Sequence, residues 1–93
     1  MSEGRLVRAI LVALNARPHT KAIKLHGNAF TEAGTPDVLG GDARGMFAIE
    51  VKLPGKKIKA GGIQEKRLAE WAGTGARTGV ATTVAEAVAI VQA

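Results

Sequence analysis

The stretch "GTPDVLGGDARGMFAIEVK", Gly34 to Lys52, decides the fold. From Met46 to Leu53 the side chains alternate, so that Phe47, Ile49 and Val51 share one face of an extended strand while Ala48, Glu50 and Lys52 share the other. Asp37 to Leu39 reads as a second strand, and "GGDARG" between them is short enough to join the two as an antiparallel hairpin. Ionised groups within such apolar strands are costly to desolvate unless they are paired, hold a metal or do chemistry. Asp37 opens one strand and Glu50 lies in the middle of the next, so the two carboxylates are set to converge on the hairpin's polar face.

On the N-terminal side, Leu6, Val7, Ile10, Leu11 and Leu14 recur at helical spacing and predict an amphipathic helix from Ser2 to Asn15, stopped by Pro18. "KAIKLHG", residues 21 to 27, predicts a short strand, and "GNAFTEAGTP" a loop. On the C-terminal side "PGKKIKAGG" reads as a basic loop before a helix from Ile63 to Ala72, in which Gln64, Leu68 and Trp71 form one stripe. "GTGARTG", residues 73 to 79, reads as a turn region before a strand at Val80 to Thr82. Thr83 with Glu86 three residues on forms a capping box for a last helix through Ala93, with Val84, Val88 and Val91 or Ile90 inward. The order is α-β-β-β-α-β-α. The sequence shows no internal repeat, linker or low-complexity segment.

The chain's 93 residues make one domain, near the size at which a single core suffices and oligomerisation helps. Cysteine is absent, which removes disulfides, thiolate zinc sites and thiol nucleophiles together; any metal must be held by oxygen or histidine. The sequence has neither a bilayer-length apolar run nor a signal-peptide pattern, and is read as cytoplasmic. A formal charge of +5 favours a polyanionic partner. With Phe30, Phe47 and Trp71 as its only aromatics, the chain is poorly equipped to stack single-stranded bases, so contact with duplex or backbone is expected.

A carboxylate pair such as Asp37 and Glu50 suits a hard divalent cation. Magnesium takes oxygen ligands at about 2.1 Å, commonly one or two carboxylates plus waters and phosphate oxygens. The backbone carbonyl of Val51 is a candidate third protein ligand. Lys52, on the face of Glu50, would stand near a bound phosphate or attacking water, where a cation stabilises growing negative charge. Glu3 is expected on the buried stripe of the first helix, and Gln64 holds the matching position in the later one, so five polar groups would meet at one edge of the sheet. Singly, each has a plain explanation: a helix-dipole glutamate, a solvent-facing Glu50 and Lys52 pair, a surface glutamine, turn chemistry at Asp37. Together those coincidences would all have to fall on one face.

"GTPD", then "AIEVK", "PGKK" and "IQEKRLAEWAGTGARTGVATTVAEAV" resemble the VRR-Nuc branch of the PD-(D/E)xK nuclease superfamily, over nearly the whole chain. The resemblance implies a single nuclease domain over residues 1 to 93 with a restriction-endonuclease-like α/β core, a mixed sheet flanked by helices. It assigns Asp37, Glu50 and Lys52 to the core motif, Gln64 to the family's glutamine and Glu3 to an N-terminal-helix glutamate. It implies Mg²⁺ or Mn²⁺ held by Asp37, Glu50, Val51 and Glu3, with hydrolysis by a water that Lys52 orients, leaving 5′-phosphate and 3′-hydroxyl ends. Without an appended domain, the chain resembles the standalone type found among bacterial and viral Holliday junction resolvases, which are homodimers acting on DNA. A flap, nicking or general duplex endonuclease is the alternative within nucleases, and a non-catalytic duplex-binding module the alternative outside them.

Lys56, Lys57 and Lys59 are candidates to grip the DNA backbone, with His26 a weaker one. "GTGARTG" is no phosphate-cradling loop, because it follows a helix and precedes a strand, the reverse of the order such loops need.

Overall fold

The computed structural model describes residues 1–27 and 31–93; positions 28 to 30 of the expected loop, with Phe30, lie outside them. The elements follow the order α1(Glu3–Asn15), β1(Lys21–Lys24), β2(Val38–Asp42), β3(Gly45–Val51), α2(Ile63–Gly73), β4(Arg77–Ala81) and α3(Val84–Gln92). The order matches the sequence reading, and most bounds shift by a few residues.

β2 and β3 form the expected hairpin, but β2 runs on through Gly40 and Gly41 to Asp42, leaving only Ala43 and Arg44 in the turn. Asp42 Oδ1 accepts the Arg44 N–H at 2.9 Å, and Gly45 takes the positive φ of +124° that the reversal requires. The larger revision concerns β4, which begins at Arg77 rather than Val80. Thr78 favours a strand, but Gly79 disfavours one and the run sits beside a glycine-rich turn; tertiary contacts decide it, since Gly79 lies under Ile90 and Arg77 is bound at the sheet's end.

The strands form a four-stranded sheet in the order β1-β2-β3-β4, antiparallel except where α2 crosses over to make β4 parallel to β3. One face packs against α1 and α3: Leu6, Val7, Ile10 and Leu14 of α1 meet Val38, Phe47, Ile49 and Val51 of the sheet and Ala87 and Val91 of α3. The stripe read from the sequence is thus the core, with Ala87 added between Val84 and Val91. α2 packs on the other face over β3 and β4, and Ile23 of β1 and Met46 at the start of β3 remain exposed.

Local interactions close the element ends. Ser2 caps α1 by accepting the Arg5 N–H, and Thr83 caps α3 by accepting that of Glu86. Asn15 bonds both the N–H and the C=O of Ala22, which protects edge strand β1. Gly40 has no tolerance for a side chain: a Cβ there would stand 2.3 Å from the Lys21 carbonyl and 2.6 Å from the Phe47 ring. Among the described residues no helix is long and apolar enough to cross a membrane.

Candidate active site at the open end of the hairpin

The strand register explains why Asp37 and Glu50 meet. Val38 pairs with Ile49, so one step outward Asp37 stands opposite Glu50, on the face turned away from the α1–α3 core. Asp37 Oδ2 accepts the Val51 N–H at 2.8 Å, and the Asp37 carbonyl accepts the Leu25 N–H at 2.9 Å, so its backbone and side chain are both fixed.

Glu50 is the buried charged residue among the described residues, 3% exposed. Its Oε2 is fully enclosed with no hydrogen-bond partner among the described residues. Burial pushes its carboxyl up to about 9; the hydrogen bond to Asp37 and that residue's negative charge add to the rise, Lys52 opposes it and Glu3 adds slightly. Left metal-free, the Glu50 carboxyl therefore keeps its proton at neutral pH. An enclosed oxygen without a partner, facing a second carboxylate, is an arrangement that a hard divalent cation would satisfy.

Glu3 departs from expectation. It is exposed in the first turn of α1, not on the buried stripe of Leu6, Val7, Ile10 and Leu14. Its charge reaches Glu50, but among the described residues no three His, Asp or Glu side chains gather as a ligand group. The side-chain donors brought together are Asp37 and Glu50, with the Val51 carbonyl next in the chain. Lys52, half-buried just past the end of β3, acts electrostatically on Glu50, and its N–H is tied to the Ala81 carbonyl.

Gln64 lies in the first turn of α2, half-buried. That turn presses on the loop leading to Asp37: a Cβ on Gly34 would meet Ile63 Cγ1 at 2.8 Å and the Ile63 carbonyl oxygen at 2.9 Å, and Gly34 has φ +79°. The glycine of "GTPD" is thus required twice, by its backbone and by the helix against it. The contact joins elements about thirty positions apart, so only the motif itself signalled it. Arg67, one turn further along α2, also binds this loop, donating from Nε to the Ala33 carbonyl at 3.0 Å.

A cavity of about 460 Å³ opens beside Asp37, lined also by Leu25, Thr31, Glu32 and Thr35, so Asp37 is reached from solvent on that side while Glu50 stays enclosed behind it. Lys56, Lys57 and Lys59 are exposed on the loop after β3, and Lys56 and Lys57 line a groove with Thr82 and Glu86. His26 is exposed, and its carbonyl accepts the Thr31 hydroxyl at 3.0 Å.

Helices around a mixed sheet, with two carboxylates and a lysine at the C-terminal end of its third strand, define a restriction-endonuclease-like α/β fold. The solved structures similar to it include a VRR_NUC domain, 22% identical, with a TM-score of 0.73 over 97% of this chain and 94% of that one. They also include Hjc of Archaeoglobus fulgidus, a Holliday junction resolvase from an archaeal hyperthermophile, 28% identical, with a TM-score of 0.64. That match covers 83% of this chain and 64% of the resolvase, so this chain spans just under two thirds of its length. Neither a family model nor a curated protein matches the sequence.

Proposed function

We propose that this chain is a metal-dependent endonuclease that hydrolyses phosphodiester bonds in branched duplex DNA, in the manner of a Holliday junction resolvase. The observation that carries the reading is the buried Glu50 carboxyl facing Asp37, with Lys52 beside it. The fold shared with a VRR_NUC domain and with an archaeal junction resolvase supports it.

Asp37, Glu50 and the Val51 carbonyl would hold Mg²⁺ or Mn²⁺. Such an ion supplies Lewis-acid polarisation of the phosphate and lowers the pKa of water. The protein's own residues do the rest. Asp37 is oriented by the Val51 N–H, which fixes the ligand geometry before any substrate arrives. Burial at Glu50 excludes water, so charges placed there act at low dielectric. Lys52 donates to the attacking water or the scissile phosphate and stabilises the charge that grows on it. Gln64 orients from α2, and Glu3 contributes negative potential from the end of α1. Lys56, Lys57, Lys59 and His26 contact phosphates along the duplex.

A four-way junction needs two symmetric nicks, which a two-fold homodimer provides and one protomer does not. Exposed Ile23 and Met46 give an apolar surface for such pairing. The test is cleavage of a synthetic four-way junction, a flap, a nicked duplex and a plain duplex in Mn²⁺ or Mg²⁺, with Asp37→Ala as control. Preferential paired cuts near the branch are expected, abolished in the control. Equal cutting of all four would make the protein a general duplex endonuclease. Binding without cleavage across several divalent ions would overturn the enzymatic reading in favour of a duplex-binding module.

A further inference from the structure

We infer that Arg67 is a positioning residue, a clamp that holds Asp37 and Gln64 in fixed relation; this rests on the nuclease reading above. The side chain is 15% exposed and directs its guanidinium at three acceptors. Nε donates to the Ala33 carbonyl at 3.0 Å, and the two terminal nitrogens pair with Glu32 at 2.9 Å and Glu70 at 3.0 Å. Glu70 belongs to α2 itself and steadies the arginine. Ala33 and Glu32 belong to the loop that leads to Asp37.

From Ala33 to Asp37 the chain has little freedom left. Gly34 is pressed on Ile63, Thr35 bonds the Glu32 carbonyl through both its N–H at 3.2 Å and its hydroxyl, and Pro36 is fully buried with its φ fixed by the ring. A displacement at Ala33 is therefore passed to Asp37 rather than absorbed. On α2, Gln64 and Arg67 are three residues apart and so lie on one side of the helix. The arginine that grips the loop thus sits beside the glutamine assigned to the site, and one side chain fixes the helix, the loop and the relation between them. Lysine offers no equivalent, because its point charge lacks the guanidinium's planar fork of donors.

The experiment uses the full chain with Arg67→Ala and Arg67→Lys, read by cleavage of the four-way junction, by junction affinity in EDTA and by the Mn²⁺ concentration for half-maximal rate. Arg67→Ala is expected to lower kcat by about 10–100-fold and raise the half-saturating Mn²⁺ several-fold, as loss of an outer partner of a metal ligand does. Affinity in EDTA should stay within about twofold, because phosphate contacts set it. Arg67→Lys should recover only part of the rate. A kcat and Mn²⁺ requirement both within about twofold of the unmutated protein, measured below the melting temperature, would overturn the clamp. If Arg67→Ala does not fold, Glu32→Ala, which removes one partner from the exposed side, is read by the same standard and a smaller loss is expected. Should the unmutated protein cleave nothing, the nuclease reading fails, and amide exchange over residues 31 to 37 decides the clamp. Faster exchange in Arg67→Ala supports it; unchanged exchange overturns it.

Discussion

The two ends of the β2–β3 ladder carry carboxylates in opposite circumstances. At the turn end, Asp42 receives both terminal nitrogens of Arg77, at 2.8 and 3.0 Å, and the Arg44 N–H; these hydrogen bonds, led by Arg77, hold its carboxyl down at about 2. Arg77 also donates to the carbonyls of Gly45 and Val91 and lies over the Phe47 ring, 5.7 Å from its centroid. At the open end, Glu50 faces another carboxylate with one oxygen unpartnered among the described residues, and burial holds its proton to about 9. One end of the same hairpin has paired its charge, and the other keeps a buried carboxyl protonated with an oxygen unpartnered among the described residues. Stability is concentrated at the turn end, and the open end is the candidate for chemistry.

The sharpest way to break the comparison is at the open end. Asp37→Ala and Glu50→Ala are expected to reduce cleavage by about 10³-fold or more while far-UV circular dichroism is unchanged; Lys52→Ala should keep junction binding and lose roughly 10²-fold or more in rate. Turnover by Lys52→Ala near that of the unmutated protein would remove the role given to that lysine.

Next come the opposed pH responses. Glu50 binds its proton more tightly when folded, so its contribution to stability is complete below about 4.5 and fades as pH rises towards 9. Thermal melting in EDTA should show that decline, and Glu50→Gln should abolish it. Asp42 has the reverse sign: its contribution is present above about 3.8 and disappears as pH falls towards 2. Arg77→Met should lower the melting temperature at neutral pH and flatten the acid branch of the curve, leaving the alkaline branch alone. The smallest effect belongs to the basic loop. Lys56, Lys57 and Lys59 changed together to Gln should weaken junction binding, with a log–log salt slope shallower by up to about 0.9 for each phosphate no longer neutralised. An unchanged slope would take the loop out of the DNA interface.

What the sequence disclosed of these ends follows from the range of the interactions. Alternation along β3 suffices to put Glu50 and Lys52 on one face, and the hairpin's brevity brings Asp37 across from them, because both are local rules. The Arg77–Asp42 pairing spans 35 positions and nothing local marks it. That is also why local propensity starts β4 three residues late: Arg77, Thr78 and Gly79 are extended because of what they touch. Glu3 escapes the pattern for a related reason. Spacing from Leu6 and Val7 suits the buried stripe, yet the first turn of α1 extends past the core that would have covered it.

The parallel pairing of β3 with β4 bears on the order of assembly. The β1–β2–β3 meander can form from neighbouring segments, whereas β4 arrives only after α2 has crossed the sheet, and it is Ala81 of β4 that pairs with Val51 beside Glu50. A chain emerging from the ribosome would therefore hold its carboxylates on an open strand edge until its last quarter had been made. In the nuclease proposed above, competence to cut would wait on the docking of β4 beside Val51.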